Sequence, residues 1–554
     1  MALQSNAGPW APVARGNGAV LAACAIAVAG FAAAPILAVA FLSIAPGLQT
    51  WSHLAATVLP GYVGNTLALM AGVATGVILL GVPSAWFVSM FRFPASRLFD
   101  WALVLPLAMP AYVIAYAYTD LLQFAGPVQG ALRAASGWQA GEYWFPEVRS
   151  LGGAIAMFSL VLYPYVYLLA RAAFAAQAAN LLEAGRLLGR GAWGTFARVA
   201  LPLARPGIAA GACLALMETL ADFGTVSYFS VQTFTTGIYD AWLSLSDVAA
   251  AGQLSLTLLA FVALVLALER ANRGRARYQN VAARALAVHR ELCGAHAIGA
   301  VLACAFPLVL GFLLPAAALA LLAAEGSAVL LSTRFGELVR NSFSLAALTS
   351  IAAVALALLL AYAARLSRSA WVSGANRLAG LGYALPGAVI AVGILVPVSR
   401  FDNLLADWLK SGWGIEPGLL VTGSVAALIY AYLVRFLAIA LQSLEAGLAK
   451  IHPGMEDAAR SLGLGPAEVL ARVHAPMLRG SLLTATLLVF VDVMKEIPAT
   501  FMMRPFNFDT LAIQAYNYAA DERLAEAGAA SLVIVAVGLV PVIGLALTLA
   551  GKRQ

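Results

Sequence analysis

Charge is the scarcest property of this 554-residue sequence. Only 11% of its residues are Asp, Glu, Lys or Arg, whereas 62% are hydrophobic. Soluble globular domains carry charge on about 25% of their residues, so a water-soluble globule is excluded. Continuous apolar runs such as residues 351–360 also exclude a membrane β-barrel, whose strands alternate between apolar and polar residues. We therefore expect an integral membrane protein built of α-helices.

Cysteine and lysine are also rare, with 4 cysteines in the whole chain. The cysteines lie in or beside apolar runs without paired spacing, so neither a disulfide framework nor a metal-thiolate site is indicated. None of the lysines stands in the Gly-x-x-x-x-Gly-Lys-Ser/Thr sequence that a P-loop requires. We expect no ATP-binding site, no catalytic residue, and no metal or cofactor bound by this chain.

Apolar runs long enough to cross a bilayer as helices, about 20 residues each, occur about twelve times. They lie at residues 18–44, 61–91, 100–124, 151–178, 204–222, 254–268, 295–323, 340–364, 379–399, 418–442, 480–496 and 528–550. With both termini in the cytoplasm, most Lys and Arg residues also fall on that side, as the positive-inside rule expects. The net charge of +7 then reflects topology and not nucleic-acid binding, because the arginines are scattered over several loops.

A charged loop that occurs twice divides the chain into two halves. Its first copy contains Glu183, Ala184, Gly185, Gly189, Arg198 and Pro202, and its second contains Asp457, Ala458, Ala459, Gly463, Arg472 and Pro476. Matched positions are 274 residues apart (457 minus 183). Because six spans separate equivalent points, the halves have the same orientation and a pseudo-twofold axis along the membrane normal. We predict two parallel six-helix repeats, residues 1–270 and 295–554, joined by a cytoplasmic linker at 271–294.

The two charged loops, residues 180–206 and 453–480, have the pattern of a helix-turn-helix on the cytoplasmic face. An acidic residue near a helix start is favoured by the macrodipole, and glycine permits the left-handed conformation at a helix end. A second short helix is expected over residues 192–200 and 466–474, ended by Pro202 and Pro476. Such an element offers a rigid polar surface on which another protein can dock.

Both loops resemble the EAA loop of ATP-binding cassette (ABC) importer permeases, which reads Glu-Ala-Ala, three residues, Gly and, further on, aliphatic-x-Leu-Pro. The first copy departs in Gly185, and the second in Asp457 and Ala475. The fused halves, with residues 217–225 and 492–500, are similar to ferric iron permeases, and thiamine permeases share this architecture. The resemblance implies a type I importer permease in the inner membrane, with a cytoplasmic ATPase dimer that uses ATP and a periplasmic substrate-binding protein as partners.

Ionisable residues inside the predicted spans form two matched sets. Glu218 and Asp222 are four residues apart and share a helix face, as do Asp492 and Glu496, with Lys495 beside them. Two interpretations stay open. The residues could line a translocation path whose hard oxygen atoms suit a cation such as Fe³⁺, or they could be hydrated near helix ends, cap backbone and pair through Lys495.

Structural roles are the favoured interpretation of the other polar residues in the spans. Arg435 could pair with a carboxylate, but snorkelling to the cytoplasmic headgroups is the favoured interpretation. Iron–phenolate chemistry is one interpretation of the tyrosines at positions 163, 165, 167, 430 and 432, but packing or hydrogen bonding between helices is the favoured one. His452 and His474 are predicted to be ordinary polar surface or interface residues.

The main rival function is an ion-gradient-driven secondary transporter, which also explains twelve spans in two parallel halves. The loop at residues 91–97 lacks the Gly-x-x-x-Asp-Arg pattern that the major facilitator family has there. A non-transporting scaffold leaves the repeated polar loop unexplained. The sequence therefore predicts a binding-protein-dependent permease, with ferric iron as the first candidate substrate and thiamine or another small solute as the alternative.

Overall fold

The computed structural model describes residues 15–43, 48–139, 141–176, 192–273, 290–367, 369–415 and 418–551. Helices make up nearly all of its regular structure. Within these ranges the only strand pairing is a parallel bridge of two residues each, between Phe91–Arg92 and Arg290–Glu291. The prediction of an all-α membrane protein is therefore confirmed.

The helices follow the chain in two similar series. The α-helices of the first half are Arg15–Ser43, Leu48–Thr57, Leu59–Met90, Ser96–Ala102, Ala111–Leu122, Pro127–Ser136, Leu151–Ala175, Ala192–Thr195, Leu201–Ala221, Gly224–Tyr228, Phe234–Tyr239 and Val248–Arg273. Those of the second half are Gly294–Leu308, Leu314–Glu325, Ser327–Leu330, Thr333–Leu366, Ala370–Ala379, Gly387–Trp413, Val425–Leu448, Pro453–Ser461, Pro466–Val469, Ala475–Met477, Arg479–Met494, Pro498–Met503, Leu511–Ala520 and Leu524–Gly551. Short 3₁₀ or π turns connect them at Leu105–Ala108, Phe196–Ala200, Asp240–Ser244, Val309–Leu313, Gly382–Ala384 and Leu470–His474.

In the described ranges, 10 helices are long and apolar enough to cross a membrane, or up to 12 if each of two bent helix pairs counts as one span. The bent pairs fall on the predicted runs 100–124 and 480–496. The first bends by 92° at Met109, which is extended because the following residue, Pro110, disfavours helical geometry before it. The count of about twelve spans agrees with this range.

Pro202 and Pro476 do not end the short helices of the charged loops, contrary to the prediction. The π turn Phe196–Ala200 runs directly into helix Leu201–Ala221, so Pro202 stands in the first helical turn. The Leu201 N–H donates to the Phe196 carbonyl, as in a π turn, and Pro202 stands at the next position, where the helical N–H is missing. Pro476 lies within Ala475–Met477, and the chain bends by 77° only after that segment.

The first helix of each half packs against the other half, which interlocks the repeats. Helix Arg15–Ser43 contacts Gly387–Trp413 so closely that a Cβ atom on Gly393 would lie 2.3 Å from the Pro35 carbonyl oxygen. Pro35 has no N–H group, so the carbonyl of Phe31 loses its helical partner. The Tyr430 hydroxyl donates a hydrogen bond to that oxygen at 2.7 Å.

The reverse contact uses the same chemistry. Pro307 frees the carbonyl of Ala303 in the first helix of the second half. The Ser84 hydroxyl of the first half lies 3.3 Å from it and shares its proton with the Leu80 carbonyl at 2.7 Å. The Tyr118 hydroxyl donates to the Leu310 carbonyl, further along the same helical run, at 2.7 Å. Each half therefore satisfies backbone groups that prolines release in the other.

Matched asparagines occupy equivalent places in the two halves. The Asn65 side-chain amide donates to the Gln232 carbonyl at 2.9 Å, and the Asn341 amide donates to the Asp509 carbonyl at 3.2 Å. Both bonds tie a long helix to the irregular segment before the second-to-last helix of its own half. The 276-residue repeat of these asparagines (341 minus 65) thus corresponds to one structural role.

Candidate functional site

The site begins where two repeat-related helices end, Leu201–Ala221 in the first half and Arg479–Met494 in the second. Each helix is followed by a sharp turn and a short helix. In the first half, Asp222 makes this turn, because its carboxylate accepts hydrogen bonds from the backbone N–H groups of Thr225 at 2.9 Å and Val226 at 3.3 Å. This is the usual stabilisation of a helix start by an acidic side chain.

Glu496 does the same in the second half. Its carboxylate accepts from the backbone N–H groups of Ala499 at 2.8 Å and Thr500 at 3.0 Å. It also forms an ion pair with Arg435, whose Nη1 lies 3.1 Å from Oε1. The residue pair predicted from the 274-residue repeat therefore caps equivalent short helices, as one of the two open interpretations expected.

Arg435 does not snorkel to the headgroups, so the favoured interpretation was wrong. Only 8% of the residue is exposed, and its guanidinium group is held inside the bundle by Glu496. A buried charge without a partner is strongly destabilising, whereas a carboxylate in hydrogen-bond range offsets much of the desolvation. The partner lies 61 residues further along the chain, which helical periodicity within one span does not reveal.

One turn earlier on the same two helices lie Glu218 and Asp492. Glu218 accepts a hydrogen bond from the Tyr383 hydroxyl of the second half. Asp492 forms an ion pair with Lys495, the Nζ atom lying 2.8 Å from Oδ1. These side chains are only partly covered by protein, because they face an internal space.

That space is a cavity of about 100 Å³ between the two halves. All five residues predicted to line a path border it, together with four polar or charged residues of other elements. The polar and charged side chains around it are Tyr112, Tyr165, Glu218, Asp222, Tyr383, Arg435, Asp492, Lys495 and Glu496. The structure thus brings four carboxylates and two cations from both halves to one place.

Sequence reasoning missed Tyr383 and Tyr112, and for Tyr165 it favoured packing or hydrogen bonding between helices. Tyr383 lies in the 3₁₀ turn Gly382–Ala384, so the spacing of residues along a helix does not predict that it faces the carboxylates. Tyr112 donates to the Lys495 carbonyl at 3.3 Å. The interpretation of Tyr432 agrees with the structure, because its hydroxyl bonds the Thr500 hydroxyl between helices at 2.6 Å.

The second charged loop forms a compact knob outside the bundle. Helix Pro453–Ser461 contains Asp457, Ala458 and Ala459 and ends before Gly463, whose φ of +86° is the left-handed conformation that the pattern predicts. Beside it, Leu462 is 82% exposed and Met455 is 45% exposed. Arg472 follows in the next turn and lies 3.8 Å from Glu468. The knob thus presents apolar side chains among exposed charges.

A buried charged cluster, defined by Arg365, Glu456 and His474, fixes this knob to the bundle. Arg365 Nε donates to the Glu456 carboxylate at 2.5 Å, and its other nitrogens donate to the carbonyls of Leu448 at 2.5 Å and Ile451 at 2.6 Å. His474 Nε2 lies 3.1 Å from the same carboxylate. Three segments of chain therefore meet at one guanidinium group.

His474 is wholly buried, which corrects its prediction as a residue of the polar surface. Burial lowers its pKa below the usual range, although Glu456 acts in the opposite direction. The edge of the imidazole faces the ring of Tyr362, whose hydroxyl donates to the Pro466 carbonyl at 2.7 Å. The neutral imidazole thus packs between the loop and helix Thr333–Leu366.

The first charged loop is described only in part. Its residues Glu183, Ala184, Gly185 and Gly189 lie outside the described residues, as does most of the predicted linker at 271–294. Arg198 and Pro202 lie within them, beside an aromatic cluster formed by Trp86, Phe174 and Phe196. The Trp86 ring centroid is 5.2 Å from that of Phe174 and 4.9 Å from that of Phe196.

Comparison with known proteins points to transport. Residues 77–268 match the model of a family described as binding-protein-dependent transport system inner membrane component. The chain is 26% identical over 485 residues to the Fe(3+)-transport system permease protein FbpB 2 of Haemophilus influenzae, which covers 86% of this chain and 88% of that protein. Shorter similarities include the molybdenum transport permease ModB of Escherichia coli, with 30% identity over 27% of this chain and 63% of ModB. The sulfate transport permease CysT of the same species is 28% identical over 29% of this chain and 55% of CysT.

Proposed function

We propose, from the premise that this chain belongs to the inner membrane components of binding-protein-dependent ABC importers, that it moves ferric iron across the inner membrane. The observation that carries the proposal is the similarity to an Fe(3+) permease over 86% of the chain, which includes both halves. The chain is a multi-pass permease, and both termini are assigned to the cytoplasm from the distribution of Lys and Arg.

The charges of the central cavity support a cationic substrate. Lys495 and Arg435 each have a carboxylate partner, at 2.8 and 3.1 Å, so neither is left over for an oxyanion. Four carboxylates face two cations in all. Hard oxygen ligands suit a hard cation. Molybdenum and sulfate permeases among the relatives show that substrates differ within the family, and thiamine or another small solute is the alternative.

The translocation path runs, in this proposal, past Glu218, Asp222, Asp492, Lys495 and Glu496. Asp222 and Glu496 also hold the turns of the backbone, so neutralising them mixes transport with folding. Glu218 and Asp492 make no such backbone contacts within the described ranges. They are the sharper probes of the path.

The two charged loops are assigned as docking sites for a pair of cytoplasmic ATPase subunits. The exposed Leu462 and Met455 support this role, because apolar side chains in a polar rim are typical of protein interfaces. The matching residues of the first loop, Glu183 to Gly189, take the same role by repeat. ATP is hydrolysed by those partners, and substrate arrives from a periplasmic binding protein.

Reconstitution tests the function directly. Proteoliposomes that contain the permease, its ATPase and its binding protein are expected to accumulate Fe³⁺ only when ATP is present on the side of the membrane where the ATPase lies. Accumulation that continues without ATP and stops with an ionophore would assign the chain to secondary transporters. Accumulation of thiamine in place of iron would retain the permease assignment and reject the substrate.

A glycine substitution tests the docking loop. Gly463→Val places a β-branched residue at φ +86°, which such residues resist, so we expect ATP hydrolysis without uptake or loss of the ATPase subunits. Gly189→Val is expected to do the same in the first loop. Gly465→Val is the matched control, because Gly465 has an ordinary φ of −73°. Normal uptake and normal subunit recovery in Gly463→Val would reject the docking assignment.

A further inference from the structure

The carboxylates around the central cavity are not equivalent in their partners. Asp492 forms an ion pair with Lys495, and Glu496 forms one with Arg435. Glu496 and Asp222 also each accept hydrogen bonds from two backbone N–H groups. Glu218 differs, because its hydrogen bond in the described structure comes from a phenol, the Tyr383 hydroxyl. Among the four, Glu218 is therefore the one with neither a cation nor a backbone N–H group as hydrogen-bond partner in the described residues.

Two phenols accompany Glu218. Tyr383 comes from the second half, and Tyr165 comes from helix Leu151–Ala175 of the first half. Both border the cavity, as Glu218 does. Three oxygen-bearing side chains from three separate elements thus line one space.

The oxygen atoms that border the cavity suit one class of ion. Carboxylate and phenol oxygens are hard donors and match a hard trivalent cation.

We infer that Glu218, Tyr165 and Tyr383 form a transient acceptor site for Fe³⁺ in the central cavity. This inference rests on the proposed function. The ion binds the Glu218 carboxylate and the two phenol oxygens, each phenol releases its proton to cavity water as its Fe–O bond forms, and iron stays in the ferric state. The described residues contain no group of three or more His, Cys, Asp or Glu side chains arranged for a metal. The remaining coordination is thus left to water, as expected of a site that must also release its ion.

Visible absorption tests the site without transport. The purified permease–ATPase complex in lipid nanodiscs is titrated with ferric nitrilotriacetate, and a phenolate-to-Fe³⁺ charge-transfer band is expected in the wild-type protein. Tyr165→Phe and Tyr383→Phe are each expected to weaken it, and the double variant to abolish it. Tyr430→Phe is the matched control, because Tyr430 bonds Phe31 away from the cavity. A full band in the double variant would overturn the inference.

Uptake provides the second measurement. Glu218→Gln keeps the size of the side chain and removes its charge, so we expect roughly tenfold slower Fe³⁺ uptake, the equivalent of about 1.4 kcal/mol, with normal recovery of the complex. Ga³⁺ is expected to compete with Fe³⁺ at the wild-type site, and Mg²⁺ is not.

The two proposals fail differently. A wild-type complex that imports another solute and no iron rejects the proposed function. A wild-type complex that imports iron at a rate unchanged by Glu218→Gln, and whose band does not depend on either tyrosine, rejects the acceptor site alone.

Discussion

Beneath the second charged loop, a guanidinium group, a carboxylate and an imidazole are buried together, whereas the first half has apolar or small residues at the same positions. Subtracting 276 or 274 residues from Arg365, Glu456 and His474 leads to Ser89, Leu182 and Ala200. Near Ser89 and Ala200 the first half packs the rings of Trp86, Phe174 and Phe196. The residue types at the three matched positions therefore differ between the two halves.

A second pair of matched positions also carries different residue types in the two halves. In the first half Arg171 and Asp100 form an ion pair at 2.6 Å. In the second half the corresponding residues are Glu445 and Asn376, joined by a hydrogen bond of 3.0 Å from the amide to the carboxylate. The central cavity is asymmetric too, because both of its cations come from the second half. A backbone repeat thus fixes where polar contacts occur and leaves open which groups make them.

The largest expected effect comes from breaking the charged cluster. Arg365→Met leaves the Glu456 carboxylate buried without its strongest partner and removes the donor from two carbonyls. Loss of one member of a buried ion pair costs about 3–5 kcal/mol, so we expect little folded protein and a much lower Tm in detergent. Ser89→Ala, at the corresponding position of the first half, is the control and is expected to change stability by less than about 0.5 kcal/mol.

An apolar replacement of the whole ion pair sharpens the same test. Arg365→Met combined with Glu456→Leu removes both charges, and an apolar replacement of a whole buried pair is often near neutral. The double variant is therefore expected to be more stable than Arg365→Met alone. If the double variant is less stable than Arg365→Met, the unpaired Glu456 carboxylate does not explain the loss of stability in the single variant.

The two helix caps provide the next comparison. Glu496→Gln leaves Arg435, which is only 8% exposed, without an anion, at an expected cost of about 3 kcal/mol. Asp222→Asn only weakens a cap, at about 0.5–2 kcal/mol. Thermal unfolding of the purified permease should therefore place Glu496→Gln well below Asp222→Asn. Equal Tm values would mean that the Arg435 pair contributes nothing beyond the cap.

Acid is expected to loosen the second loop attachment and not the first. Burial lowers the pKa of His474, so the unfolded chain takes up this proton at a higher pH than the folded protein. Stability from the neutral imidazole is present above about pH 6.5 and is lost as the pH falls toward the depressed pKa of the folded state. The Tm of wild-type protein should fall between pH 7.5 and 5.5 more than that of His474→Ala, which carries the first-half residue. Parallel profiles would contradict this.

The smallest effect is expected where the halves interlock. Tyr430→Phe removes the donor to the Phe31 carbonyl at 2.7 Å and should cost about 0.6–1.7 kcal/mol, the range for hydrogen bonds between membrane helices. Ser84→Ala removes a longer contact of 3.3 Å to Ala303 and should cost less. Tm differences measured in the same detergent rank the two. The reverse order would show that bond length does not decide this contribution.

The sequence predicted the helices and two matched sets of carboxylates because both follow from local rules, and a common path was one of the two interpretations it left open. Apolar runs of bilayer length define the spans, and the four-residue spacing from Glu218 to Asp222 puts both on one helix face. The repeat then relates that face to Asp492 and Glu496. No partner across the bundle is needed for these inferences, so one sequence suffices.

The partners across the bundle were not predictable in the same way. Arg435 meets Glu496, and Tyr383 meets Glu218, 165 residues apart in the chain. Such contacts depend on helix rotation and on the turn before Gly387–Trp413, which periodicity does not report. His474 was predicted to lie at the surface because it belongs to a charged cytoplasmic loop, although the π turn that contains it buries the ring.

The hydrogen bond from Tyr430 to Phe31 joins residues 399 positions apart, and this separation has a consequence during synthesis. A ribosome adds about 5–20 residues per second, so the first helix exists for about 20–80 s before its hydroxyl donor has been made. During that interval the Phe31 carbonyl and the groove around Pro35 must rest against lipid or an insertion factor. Nascent chains arrested before residue 430 should therefore cross-link to such factors through this helix, and longer chains should release them.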